Sequence, residues 1–486
     1  MSKLFNKSHF IFLFLFVFAT IWVLHLASIV TVAPMDNFEQ LIWMRSLEWG
    51  YFKHPPITTW LMWVMVELVG WNQWATYLLG AICTMATVFF YWHLMLQIKG
   101  PRFAIVALCS ALCITFFNSS LLIYNHNVPV ALCIAITAWI WYQLSVKHSL
   151  VLWFFLGAIS AIGLMSKYQY VLVIGTGLVW VIINQIWRSS LHRKGLLLAI
   201  STATLLLLPH LIWLIQTDMG PLHYARTVLA EPAPFIKRLQ ITFWWLMDCL
   251  FNRGLPALAL IIVLRYSLKL NKLLLQKNQL ESADKFLFLW GIFPMLVMVI
   301  VGVGFSNFLP TRWSSPYLMW LIPPMMIVCG FSECQLQRIN FSKVLVVTFL
   351  SIQTLLIWLS YETSSFGRFP PTSKQKVAFP NNKMATELMT QIKKITTCSV
   401  DIIQGPQNYS GSIAILFPNR PKVFVDGNLA INPWIKKDEV SQSVVLKLWS
   451  PQEASQSKNL LFNGWAWQIN LPTQGYKQKA CATSID

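Results

Sequence analysis

The chain has 486 residues, of which 56% are hydrophobic and only 11% charged, with a mean hydropathy of +0.56. Soluble domains carry about 25% charged residues, so this composition excludes an ordinary globular protein and calls for a polytopic membrane protein. The formal net charge of +19 does not indicate nucleic-acid binding, because the basic residues are not gathered on one surface. They fall in short connections between apolar runs: Lys99 with Arg102, Lys147, Arg188 with Arg193 and Lys194, Lys269 to Lys277, and Arg338 with Lys343. That bias keeps basic loops cytoplasmic and sets orientation; contact with anionic lipid headgroups is a secondary consequence.

In chain order, MSKLFNKSHF and the apolar run to Ala33 exceed the roughly 7–15-residue core of a cleaved signal peptide. An uncleaved anchor is expected, with Lys3 and Lys7 in the cytoplasm and Asp36 emerging on the far side. An outer loop, 34–72, follows. Its segments 35–49 and 56–70 read as interfacial helices, with two poor membrane spans as the alternative. Asp36 and Glu39, at i and i+3, share a helix face with Trp43 one turn further on. Ionisable groups beside hydrocarbon are costly and mark sites or water-filled paths. One carboxylate could deprotonate an acceptor while the other orients it or holds a cation; a plain helix cap is the competing reading of Asp36. After the turn at Trp49-Gly50-Tyr51, Pro55 and Pro56 stiffen the backbone. They would aim Lys53 and His54 together at a phosphate or sugar hydroxyl, or simply form a rigid turn with snorkelling charges.

Further apolar spans are expected near 74–97, 103–118, 128–146, 150–165, 169–187, 195–216, 285–305, 315–331 and 343–360. A longer region, 239–268, is interrupted at Asn252-Arg253-Gly254-Leu255-Pro256, its first half interfacial and its second crossing. With runs of roughly 20 residues per span the total is about eleven crossings, or about thirteen if the doubtful segments cross as well. Either total is odd and puts the tail opposite the N-terminus. Three more outer turns then face the first loop: Tyr124-Asn125-His126-Asn127, Ser166-Lys167-Tyr168 and Pro310-Thr311-Arg312-Trp313. A fourth, 216–226, ends at Arg226. Lys167 and Arg312 are cations on the side where such residues are disfavoured. They suit an anion, Arg as a bidentate donor and Lys as a point charge, although snorkelling remains open.

The tail changes character. Segment 383–395 has helical periodicity, while 400–403, 413–416 and 423–425 read as strands between Gly, Pro and Asn turns. The expected architecture is therefore an all-α polytopic membrane domain over 1–360 with a small α+β outer domain over 361–486. Cys83, Cys109, Cys113, Cys133, Cys249 and Cys329 lie in apolar segments and Cys334 in a basic loop. Cys398 and Cys481 share the tail and could form a disulfide if it lies in an oxidising compartment. There is no P-loop, dinucleotide fingerprint, HExxH or GxSxG motif. No metal ligand or cofactor is assigned, and a divalent cation stays open.

Taken together, Asp36…Trp49-Gly50-Tyr51…His54-Pro55-Pro56…Trp60 resembles the first outer loop of GT-C glycosyltransferases that use polyprenyl-phosphate sugars. The resemblance is to bacterial relatives of protein O-mannosyltransferases and of the lipid A aminoarabinose transferase. Gly163-Leu164-Met165-Ser166-Lys167-Tyr168, 209–213 (PHLIW), 309–316 (LPTRWSSP), 409–425 and Asn432-Pro433-Trp434 resemble further parts of that group. The resemblance implies a helical bundle with a periplasmic α+β domain in a bacterial inner membrane. It implies sugar transfer with inversion from a lipid phosphate such as undecaprenyl phosphate to lipid A, lipopolysaccharide or another glycan. Asp36 matches the catalytic acid and Lys167 the lysine near the phosphate, while Arg312 stands where relatives often carry His. Members commonly have Asp-Glu where this chain has Asp36-Asn37, and Asp-x-Pro where it has Asn127-Val128-Pro129. Those departures leave another acceptor, weaker cation use or an inactive copy open. A protein O-glycosyltransferase and a transporter or flippase are the other readings; a transporter predicts mid-bilayer charges and inverted repeats.

Overall fold

The computed structural model describes residues 8–229, 233–270, 281–305, 309–337, 340–369, 379–451, 459–461, 464–474 and 481. The readings on Lys3 and Lys7, on 271–277 and on Arg338 lie outside the described residues. The helices are α1 (Ser8–Ile29), α2 (Met35–Trp43), α3 (Ile57–Val69), α4 (Gln73–Lys99), α5 (Pro101–Leu112), α6 (Asn127–Val146), α7 (Leu150–Ser166), α8 (Val171–Ile183), α9 (Ser190–Gln216), α10 (Gly220–Leu229), α11 (Phe235–Met247), α12 (Leu255–Ser267), α13 (Ser282–Phe305), α14 (Ile322–Val328), α15 (Glu333–Gln337), α16 (Ser342–Glu362), α17 (Asn381–Ile392), α18 (Gln407–Ala414) and α19 (Lys437–Ser441).

Among the described residues six helices are long and apolar enough to cross a membrane, and α11 with α12 adds a seventh if the pair, bent by 62°, is one span. This is a multi-pass membrane protein. α6 lies between α4 and α7, and α7 packs on α9. The outer flank of α9 leaves Leu197, Ile200, Leu205, Leu211 and Ile215 exposed, as a lipid-facing helix should. Polar side chains tie helices together inside the apolar body: Trp22 donates to Gln353 at 3.0 Å, and Gln353 donates to the Leu112 carbonyl at 3.3 Å.

Two expected spans are broken. α5 has 12 residues, about 18 Å of helix, and stops because side chains take over its last carbonyls: Asn118 donates to Leu112 O at 2.8 Å. The expected span 315–331 is a 3₁₀ turn, Leu318–Leu321, running into the short α14. Pro323 and Pro324, which supply no backbone N–H, favour a helix start there. The interruption at 252–256 is present as a π-helical turn, Asp248–Arg253, between α11 and α12.

Beyond α16, strands β1 (Ile402–Gly405), β2 (Lys422–Val425), β3 (Val445–Trp449), β4 (Asn459–Leu460) and β5 (Ala466–Asn470) form one sheet in the order β2-β1-β3-β5-β4. β1 pairs parallel with β2 and β3, and β5 runs antiparallel to β3 and β4. The strand expected at 413–416 is instead part of α18 and its end. Parallel neighbours need a crossover, and a helix supplies it. Cys398 and Cys481 are bridged, with Cα atoms 5.5 Å apart.

The helical body and the tail have separate apolar cores, and α2 serves both. Phe38, Leu41 and Met44 belong to the first, whereas Ile42, Trp43 and Tyr51 belong to the second with Met384, Ile403 and Trp434. The amphipathic helix of the outer loop is thus a wedge between the two.

Candidate active site

The outer turns converge because their backbones are fastened to one another. Gly50 lies against the Trp213 ring so closely that a Cβ there would come within 2.3 Å of it. His210, one turn before Trp213, bonds the Trp49 carbonyl through Nδ1 and faces the Tyr168 hydroxyl at 3.1 Å through Nε2. Tyr51 and His54 exchange two backbone hydrogen bonds, at 2.9 and 3.1 Å, which closes the turn carrying Lys53. Gln169 donates to the Trp313 carbonyl at 2.9 Å, and Tyr317 donates to the Gln169 carbonyl at 3.0 Å. Arg253 reaches Ser315 and Thr311 at 2.9 and 3.1 Å, holding the turn that bears Arg312.

These turns enclose a cavity of about 390 Å³ lined by Asp36, Glu39, Lys53, His54, Asn127, Lys167, Tyr168 and Arg312, with Asn125, His126, Gln169, Tyr224 and Trp313. Of the residues singled out in the sequence, Arg226 alone stays off the wall. It is on the exposed side of α10, whose Tyr224 and Ala225 line the cavity instead.

Asp36 is half-buried in the first turn of α2, and its Oδ2 accepts from Asn125 Nδ2 at 2.8 Å. Glu39 is buried and accepts from Lys53 at 2.6 Å and from Gln407 of α18 at 3.1 Å. Burial pushes the Glu39 carboxyl up against the pull of the Lys53 ammonium. Burial also pulls Lys53 down, but Glu39 and the more distant Asp36 and Tyr224 outweigh it and keep Lys53 protonated. Lys167 is buried too, and its hydrogen-bond partner is neutral: it donates to Asn127 Oδ1. Burial and the Arg312 charge bring its ammonium down to about 7, with Asp36 opposing. Among the described residues Arg312 has no carboxylate partner.

The rings of His54 and His126 lie 3.9 Å apart. Burial, reinforced by the Lys167 and Lys53 charges, pushes both well below the usual histidine range, so both are neutral. The Pro55 backbone near His126 opposes that shift, and the buried His126 Nε2 has no hydrogen-bond partner among the described residues. Glu39, His54 and His126 each offer a ligand atom, all within 4.8 Å of one another. Two imidazoles and a carboxylate suit zinc or a similar divalent ion. The donor set fits such a cation, with the Lys53 ammonium as its competitor for Glu39.

Both departures at Asn have structural uses. Asn37 is fully buried; it donates to Thr76 Oγ1 and to the Leu122 carbonyl, both at 2.7 Å, and accepts from the Tyr124 backbone N–H at 2.9 Å. A carboxylate cannot donate, so this position needs an amide. Asn127 gives Lys167 an uncharged acceptor. Sequence reasoning noted the turn containing His126 and Asn125 without singling them out. Gln407, 368 residues from Glu39, gives no local signal.

Residues 53–213 match the family model described as dolichyl-phosphate-mannose-protein mannosyltransferase. The fold is shared with ArnT of Cupriavidus metallidurans solved with undecaprenyl phosphate: TM-score 0.62 and 13% identity over 92% of this chain and 94% of that one. The chain has a membrane fold of the GT-C type. Among curated relatives, the lipopolysaccharide core galacturonosyltransferase RgtA of Rhizobium johnstonii is 21% identical over 81% of this chain and 77% of its own length. The lipid A galacturonosyltransferase RgtD of the same organism is 24% identical over 40% of this chain and 41% of its own length. The chain therefore spans less than half of that second relative.

Proposed function

We propose that this GT-C protein transfers a sugar from a polyprenyl phosphate to a lipid A or lipopolysaccharide acceptor, with inversion, on the periplasmic face of a bacterial inner membrane. One observation carries the reading: a carboxylate, Asp36, borders the same cavity as two cations, Lys167 and Arg312, that have no carboxylate partner among the described residues. The donor class is supported by the undecaprenyl phosphate in the ArnT relative, and the acceptor class by the names of the two Rhizobium relatives.

Asp36 takes the proton of the acceptor hydroxyl, with Asn125 fixing the carboxylate. The acceptor oxygen bonds to the anomeric carbon as the bond from that carbon to the phosphate oxygen breaks on the opposite face. One displacement gives inversion. The departing phosphate is already an anion and needs no proton; Lys167 and Arg312 stabilise the charge that grows on it. Neutral His54 and His126 accept from sugar hydroxyls. A divalent ion held by Glu39, His54 and His126 would add Lewis-acid charge beside the same phosphate. Asn37 and Asn127 both have uses compatible with turnover, which favours an active enzyme over an inactive copy.

The test is mass spectrometry of lipid A and core oligosaccharide from cells with and without the gene, followed by reconstitution with undecaprenyl-phosphate galacturonate as the first donor. A sugar increment lost with the gene and restored in vitro is expected. An unchanged envelope, with no transfer to lipid A or core by the purified protein, overturns the reading.

A further inference from the structure

The tail sheet contains a second crevice that the transfer chemistry does not use. From β1 the chain moves through α18 to β2 on one side, then crosses by way of α19 to β3 on the other. β1 is therefore a topological switch point, and ligands of open parallel sheets settle outside the carboxyl ends of the strands at such a point. A cavity of about 290 Å³ lies there, lined by Gln404 and Pro406 at the end of β1, Asp426 just after β2, and Lys447 and Trp449 at the end of β3. Gln404 and Lys447 are direct partners in the ladder. Asp426 is in the left-handed region at φ 51°, a conformation that is costly for a residue other than glycine and is often kept at binding sites. Gly405 is required by close approach, since a Cβ there would come within 2.7 Å of the Leu448 carbonyl.

The lining chooses among ligands. A nucleotide at a switch point needs backbone N–H groups after β1 to cradle its phosphates, but Pro406 removes one at the critical turn. A free anion would meet the Asp426 carboxylate at the rim. A saccharide suits all the groups: Asp426 accepts, Lys447 donates, Gln404 does both, and the Trp449 ring offers a flat apolar face to a sugar ring. The crevice is tied to the catalytic cavity through the chain. Pro406 lines it, and the next residue, Gln407, donates to Glu39 Oε2 at 3.1 Å. Pro406 of the crevice is thus one residue from the side chain that holds Glu39 of the cavity wall. α18 itself lies on α2, with a Cβ at Gly411 coming within 3.1 Å of Phe38.

We propose that this crevice is a subsite for the sugar portion of the acceptor, held beside the catalytic cavity by Trp449, Lys447, Gln404 and Asp426. The proposal rests on the reading of the main cavity as a sugar-transfer site. Its test uses the full chain in nanodiscs with delipidated lipopolysaccharide core oligosaccharide as probe, followed by saturation-transfer NMR, and acceptor and donor KM in the transfer assay. Trp449→Ala is expected to weaken oligosaccharide binding and raise acceptor KM about tenfold, a loss of about 1.4 kcal/mol, while donor KM holds; Trp449→Phe restores much of both. Lys447→Ala acts in the same direction without touching the ring. If Trp449→Ala and Lys447→Ala bind the oligosaccharide as the natural protein does, the subsite is wrong, even when transfer proceeds normally. If the natural protein transfers no sugar, the main-site reading falls, and the binding measurement still decides whether the crevice holds saccharide.

Discussion

The two ends of the helical body treat some of their cations in opposite ways: at the cavity end Lys53 is paired with Glu39, but Lys167 and Arg312 are not paired with a carboxylate among the described residues. At the end carrying the basic connections, Lys99 pairs with Asp284, and Arg102 meets Glu333 at 2.9 Å. Glu333 also accepts the Arg102 and Phe103 backbone N–H groups at 2.8 and 3.1 Å. These charges are closed on themselves and fasten α4, α5, α13 and α15. At the cavity end, Lys167 faces an amide, and Arg312 has no carboxylate partner among the described residues. Holding a buried ammonium beside a neutral acceptor is unfavourable, which is why Lys167 falls to about 7. On the proposed function an anion completes that arrangement, and the difference separates cations that build the fold from cations set for the donor phosphate.

The contrast is broken most severely by removing the acid that faces the open cations. Asp36→Asn keeps the bond geometry to Asn125 but not the base, and transfer in reconstituted membranes is expected to fall about 10³-fold with donor binding retained. Normal turnover in this variant would remove Asp36 from the chemistry. Lys167→Met is expected to cost about 10²-fold, mostly through the donor phosphate. Asp284→Asn at the other end should lower thermal stability while leaving turnover per folded molecule intact.

The contrast can also be inverted. Asn127→Asp would give Lys167 a carboxylate and make the cavity end resemble the other, raising donor KM about tenfold through competition with the phosphate. The same exchange should change the pH profile. In the natural protein the Lys167 ammonium is lost as pH rises through about 7, so donor affinity falls above that value by up to about tenfold per unit. The Asp variant moves the fall to higher pH. Stability runs the other way. The lysine pKa is lower folded than unfolded, so the unfolded chain binds more protons between about 7 and 10.5. The ligand-free protein therefore gains stability as pH rises across that window. A donor affinity flat from pH 6 to 9 would contradict this account of Lys167.

The charged residues of the cavity were legible because they stand out in an apolar chain, and the tight turns around them left few places for them to go. Arg226 misled because a helix face, invisible in a loop reading, turns it away while Tyr224 lines the wall. His126 and Asn125 were hidden inside a polar turn that looked generic. Gln407 was not readable at all, since it reaches Glu39 only after α18 docks on α2. The spans at 103–118 and 315–331 are broken for a similar reason: apolar runs predict burial, but side-chain bonds to carbonyls decide where one helix stops, and paired prolines decide where the other starts. The strand expected at 413–416 had the right apolarity and the wrong role, because a parallel sheet needs a helix at that point in the chain.

A smaller effect concerns the cation that Glu39, His54 and His126 fit. Lys53 holds Glu39 at 2.6 Å, so Lys53→Met should raise the zinc content of the purified protein, measured by plasma mass spectrometry, and His126→Ala should abolish it. Transfer is expected to change by about tenfold or less on chelation, since Lys167 and Arg312 already supply charge to the phosphate. Zinc content independent of both substitutions would place any bound metal elsewhere.

The smallest effect on chemistry is expected at Asn37, which in sequence looks like a missing acid. Its amide donates to Thr76 and to the Leu122 carbonyl, and its oxygen accepts from Tyr124 N–H, so α2 is bolted to the chain just before the turn that supplies Asn125. Asn37→Asp keeps the shape and removes both donors. It also turns a carboxylate oxygen toward a carbonyl in a fully buried position. Leaving such acceptors unpaired costs about 1–3 kcal/mol, to be read as a lower melting temperature of the detergent-solubilised protein. Turnover per folded molecule should stay within about twofold, because no reacting group has changed. Should the aspartate instead raise turnover while stability holds, Asn37 would be a lost catalytic acid after all, and the paired chemistry of the first outer loop would have to be rebuilt around two carboxylates.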